Sequence, residues 1–279
     1  MSTDGRQAIS ASVDRTLKVW DVESGRELRA LQGHPAAVSG VAVSADGRLA
    51  VSASWDTTLQ VWNLENGLKL RTLRGHSSIV NGVAMSADGR RAISASRDKT
   101  VKVWDVESGC VLRTLDGHTD AVWGVAFVGD ERLAISASKD NTLKLWEVEC
   151  GSELRTLKGH SGYVYAVAVS RDGTVAVSAS SDKTLKVWDL ESGHESRTLK
   201  GHSTAVNGVA VSADGRWVVS TSDDHTIKVW ELETCADIAT FTCDAPTLCC
   251  AFVSKHTLIA GDLAGRVYLL RLEDPKGKG

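Results

Sequence analysis

Short apolar runs separated by turn-forming residues alternate along most of the chain. In one stretch, residues 38–44, 49–54, 59–64 and 68–73 are rich in Val, Leu and Ala. The turns between them hold Asp46-Gly47 and Asn66-Gly67, dipeptides that favour tight β-hairpins. The pattern predicts four antiparallel strands per unit, with no competing helical period. Because the second and third runs are apolar at nearly every position, we expect both of their faces to be covered.

This unit repeats at a fixed interval of 42 residues. Gly-His pairs occur at Gly33-His34, Gly75-His76, Gly117-His118, Gly159-His160 and Gly201-His202. A tryptophan followed by Asp, Asn or Glu recurs with the same period, at Trp20, Trp62, Trp104, Trp146, Trp188 and Trp230. A fixed period of this length is the signature of a repeat architecture, so internal repetition decides the fold.

Gly-His, an Asp in a turn and Trp-Asp, spaced at this period, resemble the WD-repeat family over nearly the whole chain. The uniformity of the repeats is similar to that of bacterial WD arrays. The resemblance implies an all-β propeller, in which sheets stacked around an axis bury each other's faces. We expect seven blades in a single domain over residues 1–274, with a short polar tail at 275–279. A six-bladed ring, with residues 247–253 serving the first blade, is the alternative.

The two ends of the repeat array are expected to be incomplete. Residues 1–6 align with residues 43–48, so the first blade would supply only its second, third and fourth strands. The last unit would supply its first three strands, and its Gly-His has become Cys243-Asp244. We expect this last blade to lack the hydrogen-bond clamp and to depend on apolar packing. Either the chain belongs to a longer protein, or another chain completes these blades by adding a strand.

In the WD-repeat family, His, Ser or Thr, the turn Asp and Trp form one hydrogen-bond network in each blade. Carried over by the resemblance, the expected structural network comprises His34, Ser54, Asp56, Trp62, His76, Ser96, Asp98, Trp104, His118, Ser138, Asp140, Trp146, His160, Ser180, Asp182, Trp188, His202, Ser222, Asp224 and Trp230. The Ser-His-Asp trio also suggests hydrolysis. Its fivefold recurrence favours a clamp, since an enzyme needs one site, and we expect no catalytic residue.

Function is expected at positions that differ from blade to blade, on the face that carries the Gly-His and Asp turns. Three such positions per blade hold the chain's unusual aromatic and charged residues. The candidate partner-binding residues are Trp55, Arg97, Trp123, Lys139, Tyr163, Tyr165 and Asp223. Aromatic rings beside cations are common anchors of interfaces, although ordinary packing between blades is the competing explanation.

Composition narrows the function further. The chain has 9 Trp but only 3 Phe and 3 Tyr. Its net charge of −3 does not indicate a surface that binds nucleic acid. The six cysteines form no CxxC pair, so we expect reduced thiols in a cytoplasmic protein. The cysteines of the last unit could form a metal site with His256, but their spacing fits no zinc-binding pattern. We therefore expect no cofactor, no metal and no membrane partner.

The sequence therefore predicts a non-enzymatic scaffold or sensor module that binds a protein or peptide of unknown identity. The alternative is a structural or self-assembly module, part of a larger signalling protein, whose open blade edges are completed by another chain. An enzyme is disfavoured, because no unique acid, base or nucleophile stands out.

Overall fold

A computed structural model describes residues 5–272; the expected polar tail at 275–279 lies outside these residues, as does the end of the expected domain. Within them the chain forms 26 antiparallel strands in seven sheets, of which the first and the last have three strands and the other five have four. The predicted seven-bladed β-propeller with incomplete first and last blades is therefore confirmed, and the six-bladed alternative is wrong, because residues 247–252 pair within the last sheet.

The strands follow one another within each blade in chain order. Blade 1 contains β1 (Gln7–Ala11), β2 (Thr16–Asp21) and β3 (Glu27–Gln32). Blade 2 contains β4 (Val38–Val43), β5 (Leu49–Ser54), β6 (Leu59–Asn63) and β7 (Lys69–Leu73). Blade 3 contains β8 (Val80–Met85), β9 (Arg91–Ser96), β10 (Val101–Asp105) and β11 (Val111–Leu115). Blade 4 contains β12 (Val122–Val128), β13 (Leu133–Ser138), β14 (Thr142–Glu147) and β15 (Glu153–Lys158).

The remaining blades continue the series. Blade 5 contains β16 (Val164–Val169), β17 (Val175–Ser180), β18 (Thr184–Asp189) and β19 (Glu195–Lys200). Blade 6 contains β20 (Val206–Val211), β21 (Trp217–Ser222), β22 (Thr226–Glu231) and β23 (Asp237–Thr242). Blade 7 contains β24 (Thr247–Phe252), β25 (Thr257–Asp262) and β26 (Val267–Arg271).

The core lies between neighbouring blades, as the apolar second and third runs predict. In blade 2, for example, Val51, Leu59 and Val61 pack against Ala92 and Trp104 of blade 3. The first strands of blades 2–7 lie side by side around the axis. They approach closely there because small residues permit it: a Cβ placed on Gly82 would lie 2.6 Å from the carbonyl oxygen of Trp123. Bulkier side chains at such positions would push the blades apart.

The first strand of each complete blade carries a β-bulge near its start. In blade 4 the pairing passes from Val122 opposite Ser138 to Gly124 opposite Ala137, so Trp123 is the extra residue. Bulges redirect a side chain out of the regular alternation. The bulge residues of blades 2–7 are Ser39, Asn81, Trp123, Tyr165, Asn207 and Leu248.

Two residues are missing from the last unit, and the structure places them apart. From Trp230 to Leu270 the unit spans 40 residues instead of 42, and the sequence alone predicts that both deletions lie near residues 254–257. Instead, the loop before β24 and the hairpin between β24 and β25 are each one residue shorter than in blade 6. Because the loop before β24 is one residue shorter, Leu248 occupies the bulge position of blade 7. No helix in the described residues could cross a membrane.

Candidate functional site

Each of blades 2–6 contains one buried relay of hydrogen bonds. In blade 4, Trp146 Nε1 lies 2.8 Å from Ser136 Oγ, which lies 2.7 Å from His118 Nε2. His118 Nδ1 lies 2.7 Å from Asp140 Oδ2. One neutral tautomer satisfies every atom: the indole N–H donates to the serine, the serine hydroxyl to Nε2, and the Nδ1–H to the carboxylate. The expected linkage of His, Asp and Trp is present in the structure.

The serine of the expected network is wrong in all five blades. The bridging residue lies two positions earlier, at Ser52, Ser94, Ser136, Ser178 and Ser220, and replaces the expected Ser54, Ser96, Ser138, Ser180 and Ser222. The side-chain period of a strand is two, so both serines lie on the same face and the sequence alone did not separate them. The later serine instead binds the loop: Ser138 Oγ donates to the carbonyl of Ala121 at 3.0 Å.

The relay has the connectivity of a hydrolytic triad, but its serine cannot act as a nucleophile toward a substrate. Ser136 is 0% exposed, and its oxygen already accepts the indole N–H of Trp146. A nucleophile must reach the carbonyl it attacks. The geometry therefore assigns these trios to stabilising the blades.

Burial also shapes the protonation of the relay. Burial lowers the pKa of His34 and His202 below the usual value, which outweighs the opposite effect of their aspartate partners. Burial alone would raise the pKa of Asp224, but hydrogen bonds from Thr226, Ser203 and His202 lower it to about 2. A neutral histidine beside an ionised aspartate is the state that the relay geometry requires.

The described part of blade 7 lacks the His-Ser-Asp-Trp relay, as the sequence predicts, and a different, part-buried contact takes its place. Tyr268 donates its hydroxyl to Asp262 Oδ2 at 2.8 Å, and the backbone N–H of Arg266 donates to Asp262 Oδ1 at 2.8 Å. The guanidinium of Arg266 forms an ion pair with Asp244. Asp262 occupies the position that Ser222 has in blade 6.

The expected apolar packing of blade 7 is also only partly present. Leu258 and Ala260 are buried, whereas Leu248, Val267 and Leu269 are exposed. Alternation along β26 turns Tyr268 and Leu270 toward blade 6, and Val267 and Leu269 to the opposite face of the sheet. These leucine and valine side chains therefore remain in contact with solvent.

The candidate binding residues before each turn Asp are held on one face by a repeated backbone contact. The N–H of Lys139 donates to the carbonyl of Ala121 at 2.9 Å, and the N–H of Ser181 donates to that of Tyr163 at 2.8 Å. Equivalent bonds fix Trp55, Arg97 and Asp223. The residue before the turn Asp thus lies beside the loop that carries the Gly-His pair, and we call this side of the ring the top face.

Bulge residues have two different roles on this face. In three blades the bulge side chain donates to a carbonyl of the next blade: Ser39 to Val80, Asn81 to Val122, and Asn207 to Thr247. We call each of these bonds a bulge clasp. In blades 4 and 5 the bulge residues are Trp123 and Tyr165, which face each other instead. The sequence showed that these positions vary, but the bulge that distinguishes the two roles appears only in the structure.

Five of the seven candidate residues form one continuous chain of contacts. Trp123 and Tyr165 have ring centroids 5.5 Å apart at an interplanar angle of 75°, and Tyr165 and Tyr163 have theirs 6.5 Å apart. The guanidinium carbon of Arg97 lies 5.4 Å from the Trp123 ring centre. The ammonium of Lys139 lies 4.8 Å from the Tyr163 ring centre. These separations are typical of edge-to-face and cation–π contacts.

The other two candidates lie on the same face but outside this chain. Trp55 is 46% exposed and makes no ring contact within the described residues. Asp223 accepts a hydrogen bond from Asn207 at 2.7 Å. Burial raises the pKa of Tyr165, and the nearby Asp223 carboxylate raises it further. Asp223 is therefore linked to the cluster electrostatically rather than by contact.

Trp123 is held in an incompletely satisfied position. Its indole nitrogen is shielded from solvent, yet no acceptor lies within hydrogen-bond distance in the described residues. A buried donor without an acceptor costs about 1–3 kcal/mol.

The sequence analysis missed a further repeated contact on the outer strands. Arg29, Arg71, Arg113, Arg155 and Arg197 each donate to a backbone carbonyl in the next blade. Their period of 42 residues was the available signal. Blade 6 has Ala239 at this position. Among residues 5–272, no cluster of three or more His, Cys, Asp or Glu side chains could hold a metal ion.

Comparison with known families agrees with this geometry. The family model for the WD domain, G-beta repeat, matches residues 1–21, 25–63, 67–105, 109–147 and 151–189, more than half of the chain. A second model, the TEP-1 C-terminal beta-propeller, matches residues 202–272. A search of curated proteins found no match. The repeated relay, the seven sheets and these matches agree. The chain belongs to the WD-repeat family, whose β-propellers are generally non-enzymatic scaffolds for protein interaction.

Proposed function

We propose that this propeller binds a protein or peptide segment across its top face, at the contact chain of Arg97, Trp123, Tyr165, Tyr163 and Lys139. The observation that carries the proposal is the exchange of bulge clasps for aromatic rings in blades 4 and 5. Where a side chain only joins blades, Ser or Asn suffices. Two adjacent aromatic bulges instead create an apolar surface at the mouth of the ring.

Exposure favours recognition over simple packing between blades. Tyr163 is 42% exposed, Arg97 is exposed, and Trp123, Tyr165 and Lys139 are half-buried. Side chains that merely filled the joints would be as buried as the core tryptophans, which are at most 1% exposed. Large aromatic residues at the centre of a patch, with cations at its rim, have the composition of binding hot spots.

The test is selection of random 12-residue peptides on the intact immobilised chain, followed by affinity measurements on variants. We expect selected peptides to lose at least about 30-fold in affinity with W123A/Y165A, as hot-spot truncations do. The matched control is L112A/L154A, which truncates two exposed leucines on outer strands. Two outcomes would disprove the proposal. Either the peptides lose equal affinity in both variants, or their affinity is unchanged with W123A/Y165A while that variant keeps its melting temperature.

A specific feature supports a second candidate function at the joint of blades 7 and 1. The outer edge of β26 has no neighbouring strand within the described residues, and Val267 and Leu269 beside it are exposed. Unpaired edges of this kind accept a strand from another chain. Sedimentation at increasing protein concentration, combined with hydrogen exchange of β26, tests this: slower exchange on association supports it, and V267K should prevent both changes. Association that leaves β26 exchange unaltered would argue against it.

A further inference from the structure

Arg97 and Lys139 each hold their charge over an aromatic ring on the top face. Lys18, Lys144 and Lys186 each form an ion pair with a glutamate on the neighbouring strand, at 2.7 Å. Within residues 5–272, neither Arg97 nor Lys139 has a carboxylate within ion-pair distance. Both charges lie over aromatic rings instead, so their electrostatic attraction for an anion is not used inside the molecule.

Charge is distributed unevenly around the mouth of the ring. Lys99 and Lys183 follow the turn Asp of blades 3 and 5 and are exposed on the top face, so blades 3–5 together present four cations there. On the side of blade 6, Asp223 takes the corresponding position. The turn aspartates of blades 3–5 are nearly buried and bound by the relay histidines. An anionic ligand therefore meets exposed cations on one side of the mouth and the Asp223 carboxylate on the other, which would fix its position and direction.

From these observations, and resting on the function proposed above, we infer that the bound segment is an acidic peptide. Its apolar or aromatic side chains contact Trp123 and Tyr165, while Asp or Glu carboxylates bind Arg97 and Lys139. Stacking on Trp123 and Tyr163 restricts the motion of both cations before binding. That restriction lowers the entropy cost of forming each new ion pair.

A nucleic acid fits this surface less well than an acidic peptide. The chain carries a net charge of −3, and its top-face cations are concentrated in blades 3–5, with Arg15 at the corresponding position of blade 1. A polyanion that continued across the ring would meet Asp223. A peptide can place a few carboxylates over blades 3–5 and continue with uncharged residues past blade 6.

The experiment uses the same random 12-residue library on the intact chain. We expect the peptides that depend on W123A/Y165A to be enriched in Asp and Glu. Synthetic hits should lose about fivefold in affinity with R97Q and with K139Q, as exposed ion pairs do, and much more with the charge reversal R97E/K139E. R97K should restore most of the loss caused by R97Q, and affinity should fall as salt rises.

The matched control is R171Q, which removes an exposed cation from the turn after β16, at the opposite end of that strand from Tyr163 and Tyr165. It should leave affinity unchanged. One outcome would overturn the acidic assignment but leave the proposed function standing. In that outcome the selected peptides are neutral or basic, lose affinity with W123A/Y165A, and keep their affinity with R97Q and K139Q. Binding of a 20-nucleotide single-stranded DNA that is lost with R97Q, in the absence of any acidic peptide hits, would overturn it in favour of nucleic acid. A library with no hits dependent on W123A/Y165A would overturn the proposed function itself.

Discussion

Ser136 accepts the indole N–H of Trp146 at a nitrogen-to-oxygen distance of 2.8 Å, across two neighbouring strands of blade 4. The same hydroxyl lies 2.7 Å from His118 Nε2. Only a group that donates and accepts at once can join a tryptophan to a neutral histidine. The position of this hydroxyl therefore decides whether the buried relay is complete.

We expect Ser136→Ala to destabilise the protein more than Ser138→Ala. The first change leaves His118 Nε2 and Trp146 Nε1 buried without partners, at a cost of about 2–4 kcal/mol. The second removes a buried bond to the carbonyl of Ala121, which still accepts the N–H of Lys139, and should cost about 1 kcal/mol. Urea unfolding of both variants checks the order. Equal losses, or a larger loss for Ser138→Ala, would mean that the relay serine is assigned wrongly.

Stability should fall in two stages as the pH is lowered. Burial lowers the pKa of His34 and His202 in the folded protein. As the pH falls through about 6.5, these histidines therefore bind protons in the unfolded chain before they do so in the folded protein. The stability that the neutral histidines contribute is lost over this range. Asp224 has a folded pKa of about 2, so the stability from its carboxylate is present above about pH 4 and is lost between there and about pH 2.

The measurement for this pH dependence is the melting temperature between pH 8 and pH 2. Thr226→Val removes a donor to the Asp224 carboxylate and should move the acid stage to higher pH. The histidine stage should stay in place in that variant. A melting temperature that does not change between pH 7 and pH 4 would contradict the neutral-histidine relay.

Tyr268→Phe tests the contact that replaces the relay in blade 7. The change removes the hydroxyl that donates to the buried Asp262, and we expect a loss of about 1–2 kcal/mol in the free energy of unfolding. Tyr163→Phe is the control, since the structure gives the Tyr163 hydroxyl no hydrogen bond, and it should change stability by less than about 0.5 kcal/mol. If the two variants unfold alike, Tyr268 does not hold the blade.

Blade 7 should exchange its backbone amides faster than any complete blade. Alternate residues of β25 are only partly buried, whereas all but the first residue of β13 are buried. Local opening is easiest where fewer apolar side chains cover the backbone. Native-state hydrogen exchange can compare the two strands directly. Equal or slower exchange in β25 would show that the Tyr268 contact compensates fully for the missing relay and the missing fourth strand.

The period of 42 residues was sufficient to predict repeated four-stranded units, and the resemblance to the WD-repeat family added the propeller, the number of blades and the incomplete ends. The period could not identify the bridging serine of the relay. Ser136 and Ser138 lie on the same face of the strand, and both positions hold serine in blades 2–6. The bulge at Trp123 could not be predicted, since it depends on how Gly124 pairs across the sheet. Tyr268 was missed because it replaces the relay with different residues at different positions.

The uneven placement of the bulge clasps has a mechanical consequence. Clasps join blades 2 to 3, 3 to 4 and 6 to 7, whereas the joints from 4 to 5 and from 5 to 6 have aromatic rings in their place. The joints under the proposed binding surface therefore lack this restraint. A segment bound across Trp123 and Tyr165 would bridge the joints from blade 4 to 5 and from blade 5 to 6, so a bound ligand would raise the force needed to separate these blades.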